Sequence, residues 1–134
     1  MDHVLGYTIA NDLSARRFQF ADGQWTRGKS CEGFCPLGPY IATTDEIRDP
    51  HDLGIRLRLN GTTMQESWTS RLIFKIPTLI AHLSDFVSLE PGDVILTGTP
   101  SGVGFARRPP VRLAPGDHMT VEIDGLGKLE NPMV

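Results

Sequence analysis

Alternating hydrophobic and polar residues predict a β-hairpin near the middle of the chain. Over residues 55–59, isoleucine and leucine alternate with arginine, which is the pattern of a strand with one face in solvent. The Asn60-Gly61 pair that follows is typical of a type I′ turn, because that turn needs left-handed backbone angles at both positions. Residues 62–67 are then predicted to return as the partner strand.

Further apolar segments predict strands over residues 4–11, 40–43, 94–97 and 119–123. A helix is predicted over residues 77–87, where Pro77 suits the first turn and apolar side chains recur at helical spacing. Residues 14–19 are predicted as a short helix or turn, and the glycine-rich residues 21–38 as a loop. Such a mainly β chain with short helices is typical of a sandwich or roll of mixed sheets.

Composition and charge argue against several classes of function. The chain has 134 residues, which is the size of one domain, and its net charge of −3 argues against nucleic-acid binding as the main task. Because no run approaches the roughly 18 apolar residues of a membrane span, we expect a soluble protein with no membrane association. Cys31 and Cys35 are too few for a zinc site and are predicted to be reduced thiols of a cytoplasmic protein.

A carboxylate, an arginine and an amide follow the first predicted strand at helical spacing. Asp12 ends that strand, and Arg16 and Gln19 come four and seven residues later. If the intervening residues are helical, the three side chains share one face. The carboxylate could then ligate a hard divalent cation while the arginine grips a carboxylate. Alternatively, the aspartate caps a helix and the arginine forms a surface ion pair.

Two segments rich in glycine and hydroxyl groups could hold an anion. Lys29 lies between Gly28 and Ser30, where a lysine can approach a bound anion or remain a solvated charge. Residues 97–104 read TGTPSGVG after a predicted strand, so backbone N–H groups and the Thr99 hydroxyl could face an oxyanion, or the segment could be purely structural. Neither segment matches a Walker A or a dinucleotide-binding motif.

Glu122 and Asp124 have the spacing of a metal-binding pair on one side of a strand. The neighbouring Met119, Val121 and Ile123 alternate with them and are predicted to point inwards. This places both carboxylates on the solvent face and favours solvated charges over a metal site. The four histidines share no ligand spacing, and none is a candidate base.

The order of the motifs is more specific than any one of them. In succession, GYTIANDLSARRFQ, WTRGKSCEGFCPLGPYI, LRLNGTTMQES and LEPGDVILTGTPSGVGF resemble the fumarylacetoacetate hydrolase family, specifically its small bacterial-type catalytic domain. The resemblance extends from about Leu5 to the C-terminus. It implies a mixed β-sandwich roll that is dimeric or of higher order, with residues 1–134 forming a single, N-terminally truncated catalytic domain.

The resemblance also implies an activity and a set of site residues. Family members are hydrolases, isomerases or decarboxylases of 2-oxo and 2-hydroxy-dienoic acids, of the acylpyruvate or 2-hydroxyhepta-2,4-diene-1,7-dioate type, in aromatic or small-acid catabolism. The implied cofactor is Mg²⁺ or Mn²⁺. By position, Asp12 matches a metal ligand, Arg16 and Gln19 match substrate-binding residues, Lys29 matches the active-site lysine, and Thr99 matches a threonine that binds the substrate's carboxylate end.

Two elements that the family places upstream of the matching motifs are absent from this sequence. The family's other two metal ligands form Glu-x-Glu on an upstream strand, and some members place a His-Glu acid/base pair earlier still. We therefore expect either the C-terminal portion of a longer enzyme or an inactive member that serves as a structural or binding module. A non-catalytic anion-binding domain is a third alternative. Because unpaired strand edges favour association, a homodimer or higher oligomer is expected.

Overall fold

The computed structural model describes residues 1–134. It contains six β-strands, three short α-helices and two 3₁₀ turns. The strands are β1 (Gly6–Ala10), β2 (Leu37–Thr43), β3 (Gly54–Leu59), β4 (Thr62–Trp68), β5 (His118–Ile123) and β6 (Gly127–Pro132), and the helices are α1 (Arg16–Gln19), α2 (Trp25–Lys29) and α3 (Ile76–Ser84). The 3₁₀ turns are Thr69–Arg71 and Gly104–Ala106. The prediction of a mainly β fold with short helices is confirmed.

The strands form two antiparallel sheets. β1 pairs with β2, and the remaining strands form a four-stranded sheet in the order β4-β3-β5-β6. In the larger sheet, Leu57 of β3 lies opposite Val121 of β5. The larger sheet therefore joins the central hairpin to the C-terminal strands.

The core lies between the small sheet and one face of the large sheet. Its buried side chains come from both sheets and include Ile9 of β1, Val121 of β5 and Leu129 of β6. Along β5, Met119 and Val121 are 2% and 5% exposed, whereas Glu122 lies on the opposite face. The predicted inward direction of the hydrophobic residues of this strand is confirmed.

The predicted central hairpin is also confirmed. β3 and β4 pair along their length, and their register changes once, between Leu57 and Arg58. At the turn, Asn60 and Gly61 have φ angles of 50° and 81°, the left-handed values that a type I′ turn requires. Asn60 also donates a side-chain hydrogen bond of 2.8 Å to Asp117, which ties the turn to the start of β5.

Two predictions of local structure are wrong. Residues 94–97 form no strand, because no other strand of this chain pairs with them, and Val94 and Leu96 are 52% and 42% exposed. An apolar segment becomes a strand only where a neighbour satisfies its backbone groups. Residues 21–38 are not a continuous loop, since they contain α2 and the first two residues of β2. In α2 the low helix propensity of Gly28 is outweighed by packing against α1.

The predicted helix is confirmed as α3, which begins at Ile76 and ends at Ser84, with Pro77 in its first turn. The ring nitrogen Nε2 of His51 accepts a hydrogen bond of 3.1 Å from the Ile76 N–H. This bond satisfies one of the N–H groups that a helix leaves without an internal partner. None of the helices is long and apolar enough to cross a membrane.

Charged side chains cover the outer face of the large sheet. Glu122 pairs with Arg58 of β3 and with Lys128 of β6, whose Nζ lies 2.9 Å from its Oε1. The hydrogen bond from Lys128, together with the positive charge of Arg58, lowers the pKa of the Glu122 carboxyl. Asp124 accepts the backbone N–H of Gly54 at 3.0 Å. These contacts agree with the prediction that the two carboxylates form no metal site, since Glu122 is ion-paired and Asp124 accepts a backbone hydrogen bond.

Replacing Glu122 with glutamine is expected to reduce the sensitivity of the fold to acid. Because its pKa is lower in the folded than in the unfolded chain, the carboxylate stabilises the fold above the unfolded value of about 4.3. That stabilisation is lost as the pH falls through the folded pKa. Urea unfolding at about pH 7 and about pH 3 should show a smaller loss in Glu122→Gln than in wild type. The exposed Glu130→Gln is the control, and equal losses in all three proteins would contradict this reasoning.

Candidate active site

An ion pair joins two of the predicted site residues. Asp12 follows β1 and Lys29 ends α2, and the Lys29 Nζ lies 2.6 Å from the Asp12 Oδ2. The lysine and aspartate side chains are 31% and 43% exposed, so a ligand can reach both from solvent. The pair fixes the ammonium group at the end of α2. Because Asp12 accepts one of the three N–H donors of the ammonium group, the other two could contact a bound anion.

A second contact joins Arg16 and Gln19 within α1. The Arg16 Nη1 donates a hydrogen bond of 2.6 Å to the Gln19 Oε1. Gln19 is fully buried, and its Nε2 has no hydrogen-bond partner. A buried amide nitrogen without a partner typically costs about 1–3 kcal/mol. The observed contact orients the guanidinium, whereas substrate contact by Gln19 stays a prediction.

The three residues that were predicted to share one helical face do so only in part. α1 begins at Arg16, so Asp12 precedes the helix and the helical spacing applies to Arg16 and Gln19 alone. Asp12 instead belongs to the site because its side chain contacts Lys29. The alternative that the aspartate caps α1 is not observed, since no side chain caps this helix.

Gly28 sets the close approach of α2 to α1. A Cβ at this position would lie 2.7 Å from the Gln19 Cβ and 2.9 Å from the Gln19 backbone nitrogen. The Gly28 carbonyl also accepts a hydrogen bond of 2.8 Å from the Ala15 N–H. Because Lys29 is the next residue, this contact determines where its side chain leaves the helix.

An aromatic side chain connects α1 to the glycine-rich segment 97–104. The Arg16 guanidinium carbon lies 5.2 Å from the centroid of the Phe105 ring, and the Phe20 ring lies 5.3 Å from it. Phe105 directly follows the segment that carries Thr99. A guanidinium over an aromatic ring directs its N–H groups away from the ring, so those of Arg16 that do not contact Gln19 are left for a carboxylate.

Thr99 is exposed and is fixed to the large sheet. Its Oγ1 accepts a hydrogen bond of 2.8 Å from the Gln65 Nε2 of β4. The structure therefore brings the predicted residues together as two direct pairs, and Thr99 joins them only through its own segment and Phe105. Gly28, Gln65 and Phe105 were not predicted. The position of Gly28 beside Lys29, and of Phe105 after the glycines, offered a signal, whereas nothing in the sequence pointed to Gln65.

The residues of this chain do not by themselves fit a divalent cation. No group of three or more His, Cys, Asp or Glu side chains is placed to hold a metal ion. Mg²⁺ and Ca²⁺ take about six or more oxygen ligands, and Asp12, the candidate ligand, already pairs with Lys29. Metal binding by Asp12 therefore stays a prediction.

A shallow cavity of about 340 Å³ beside α2 contains none of the five predicted residues; it is lined by Phe18, Thr26, Arg27, Ser30 and Cys31. Arg27 pairs with Asp22 at 3.1 Å. The hydrogen bond from the Gln24 backbone N–H, followed by that from Arg27, lowers the pKa of the Asp22 carboxyl. Both cysteines are free thiols. Because the cavity is lined by Ser30, next to Lys29, but by none of the predicted residues, it borders the candidate site without including it.

Residues 1–134 match the family model described as "Fumarylacetoacetate (FAA) hydrolase C-terminal". The chain belongs to the fumarylacetoacetate hydrolase family. The resemblance that the motifs indicated is thereby confirmed over the whole chain.

Relatives in this family are close in sequence. The chain is 55% identical to the Xenopus laevis protein named oxaloacetate tautomerase, mitochondrial, over 100% of the chain and 43% of that relative. The human protein of the same name is 49% identical over the same shares. The chain thus spans less than half the length of the curated relatives it matches.

Solved structures of fumarylacetoacetate hydrolase family members share the fold. The fumarylacetoacetate hydrolase of Exiguobacterium antarcticum has a TM-score of 0.95 and 45% identity, over 98% of this chain and 47% of that one. The 2-hydroxyhepta-2,4-diene-1,7-dioate isomerase of Mycobacterium marinum has a TM-score of 0.85 and 46% identity, over 97% and 48%. The fold class is therefore confirmed.

Proposed function

We propose that this chain carries part of the active site of a hydrolase or isomerase that acts on 2-oxo acids through their enol forms. The support comes from relatives named oxaloacetate tautomerase and 2-hydroxyhepta-2,4-diene-1,7-dioate isomerase. Oxaloacetate is a dicarboxylate that can form an enol, and 2-hydroxyhepta-2,4-diene-1,7-dioate is a dicarboxylate that already is the enol of a 2-oxo acid. The observation that carries the proposal is the Lys29–Asp12 pair, which fixes a solvent-accessible ammonium group close to α1.

Four of the five predicted residues have a role in that chemistry. Arg16, held by Gln19 and stacked on Phe105, grips a substrate carboxylate. The Lys29 ammonium stabilises the negative charge that develops on the 2-oxo oxygen as the enolate forms. The exposed Thr99 hydroxyl donates a hydrogen bond to the second carboxylate.

Several finer predictions stay open to test. Metal dependence, decarboxylation as the reaction and a role in aromatic catabolism stay predictions, which the residue roles above do not test. The cytoplasmic location also stays a prediction, and the Xenopus and human relatives are named mitochondrial. Large apolar side chains such as Leu5, Ile73 and Phe86 are 72%, 90% and 66% exposed, which supports association with a second polypeptide, such as a homodimer partner.

The second candidate function is that of an inactive family member acting as a structural or binding module. One observation favours it, namely that no three potential metal ligands converge in the chain. A module of this kind would keep the fold and the Lys29–Asp12 pair but would not turn over a 2-oxo acid.

Tautomerisation of oxaloacetate, followed by the ultraviolet absorbance of its enol, tests the proposal. We expect turnover above the spontaneous rate and a decrease in kcat/KM of at least about tenfold in Arg16→Ala, because a charged hydrogen bond to the substrate is lost. Arg17→Ala is the matched control, since Arg17 lies over the Phe18 ring at 5.9 Å and should retain wild-type activity. A wild-type rate equal to the spontaneous rate would favour the module.

A further inference from the structure

One side chain of β4 holds the segment that carries Thr99. The Gln65 Nε2 donates hydrogen bonds to the Thr99 Oγ1 at 2.8 Å and to the Pro100 carbonyl oxygen at 2.6 Å. A carbonyl oxygen can only accept, so the atom facing Pro100 must be the amide nitrogen. The direction of both hydrogen bonds is therefore fixed by chemistry.

This arrangement determines what the Thr99 hydroxyl can do. A hydroxyl has one hydrogen to donate and two lone pairs that accept. Because Gln65 donates to Thr99, the hydroxyl hydrogen is left free to donate elsewhere. Thr99 is exposed, so this hydrogen is available to a ligand. The pair thus presents a donor, which suits a carboxylate and does not suit a cation.

Other contacts hold the same segment against β4 without touching Thr99. A Cβ on Gly102 would lie 2.2 Å from the Met64 carbonyl oxygen, so the two backbones are in close contact there. Arg107 donates to the carbonyl oxygens of both Gly102 and Met64. The segment is therefore anchored independently of Gln65, and Gln65 is left with the more specific task of orienting Thr99.

We propose that Gln65 is a positioning residue that makes the Thr99 hydroxyl a hydrogen-bond donor towards a carboxylate of the substrate. This inference rests on the proposed function, which has Thr99 bind the second carboxylate. Gln65→Glu keeps the shape of the side chain but turns the donor into an acceptor, which captures the hydroxyl hydrogen. Gln65→Met removes the hydrogen bonds and keeps the approximate volume.

The test compares the KM and kcat for oxaloacetate in both Gln65 variants, in Thr99→Val and in the double variant Gln65→Met/Thr99→Val. We expect each single variant to raise KM about tenfold, with kcat changed by less than about twofold. The double variant should be no worse than Thr99→Val, because both substitutions remove one interaction. Thr63→Val, an exposed threonine of the same strand, is the matched control.

The side-chain rotamer of Thr99, read by NMR from three-bond couplings to its methyl carbon, gives a second readout that does not need turnover. Gln65→Met should replace one fixed χ1 rotamer of Thr99 by averaging among the staggered rotamers, whereas Thr63→Val should leave the Thr99 rotamer unchanged. Additive effects in the double variant, or an unchanged Thr99 rotamer in Gln65→Met, would overturn the inference. If Thr99→Val leaves KM unchanged in an active enzyme, the role proposed for Thr99 fails and the inference fails with it. If the wild type shows no turnover, the proposed function fails, and the rotamer data alone decide whether Gln65 positions Thr99.

Discussion

Replacing Gly28 with alanine is expected to destabilise the chain, although glycine-to-alanine changes inside helices usually stabilise by about 0.5–1 kcal/mol. The added methyl group would lie 2.7 Å from the Gln19 Cβ and 2.9 Å from its backbone nitrogen. The backbone of α1 cannot move away as a flexible side chain would, so α2 must shift. Overpacking of this kind costs about 1–3 kcal/mol.

Urea unfolding of Gly28→Ala and wild type measures this cost. Thr26→Ala is the control, because Thr26 is an exposed residue of the same helix and its replacement should change stability by less than about 0.5 kcal/mol. The same shift should separate Lys29 from Asp12 and lower the turnover of oxaloacetate in the fraction that remains folded. A Gly28→Ala protein as stable and as active as wild type would show that α1 and α2 are not locked at this position.

Replacing Lys29 with methionine is expected to have the largest effect on catalysis. Methionine keeps most of the side-chain length but removes the charge that we propose stabilises the enolate oxygen. Loss of one such group typically costs about 10²–10³ in kcat. The substitution also leaves Asp12 without its partner at 2.6 Å, so a carboxylate would then face the substrate and repel it. The measurement is the rate of oxaloacetate tautomerisation at saturating substrate.

Lys75→Met is the matched control for Lys29→Met. Lys75 is an exposed lysine whose Nζ donates to the Ser70 carbonyl oxygen at 2.9 Å, and no predicted site residue contacts it. It should retain wild-type kcat. If both lysine variants lose activity equally, a general loss of positive charge would explain the effect and the specific role of Lys29 would be rejected.

Features with a local cause could be predicted from the sequence. The hairpin follows from period-two alternation and from an Asn60-Gly61 turn, and the direction of the β5 side chains follows from the same alternation. The order of the motifs indicated which residues to consider as members of the candidate site. The structure pairs Asp12 with Lys29 directly, whereas the roles that the resemblance implies for Asp12, Arg16 and Lys29 stay predictions.

Features that depend on distant partners could not be predicted. Residues 94–97 have the composition of a strand but lack a strand to pair with. Gln65 contacts Thr99 across 34 positions of sequence, and neither residue type indicates that pairing. Gly28 was predicted as a loop residue because glycine disfavours helices. In the structure it lies in a helix, and glycine is needed there because Gln19 is too close for a side chain. In each case the local structure depends on tertiary packing, which a single sequence does not reveal.

Calorimetric titration with oxalate tests the central claim most directly, namely that the chain binds the 2-oxo-carboxylate group through Lys29. Oxalate mimics the enolate of a 2-oxo acid, and the titration is run once with Mg²⁺ and once with a chelator. We predict saturable binding to wild type and to Lys75→Met under both conditions, and no saturable binding to Lys29→Met. Binding that is unchanged in Lys29→Met, or absent from wild type under both conditions, would contradict the account.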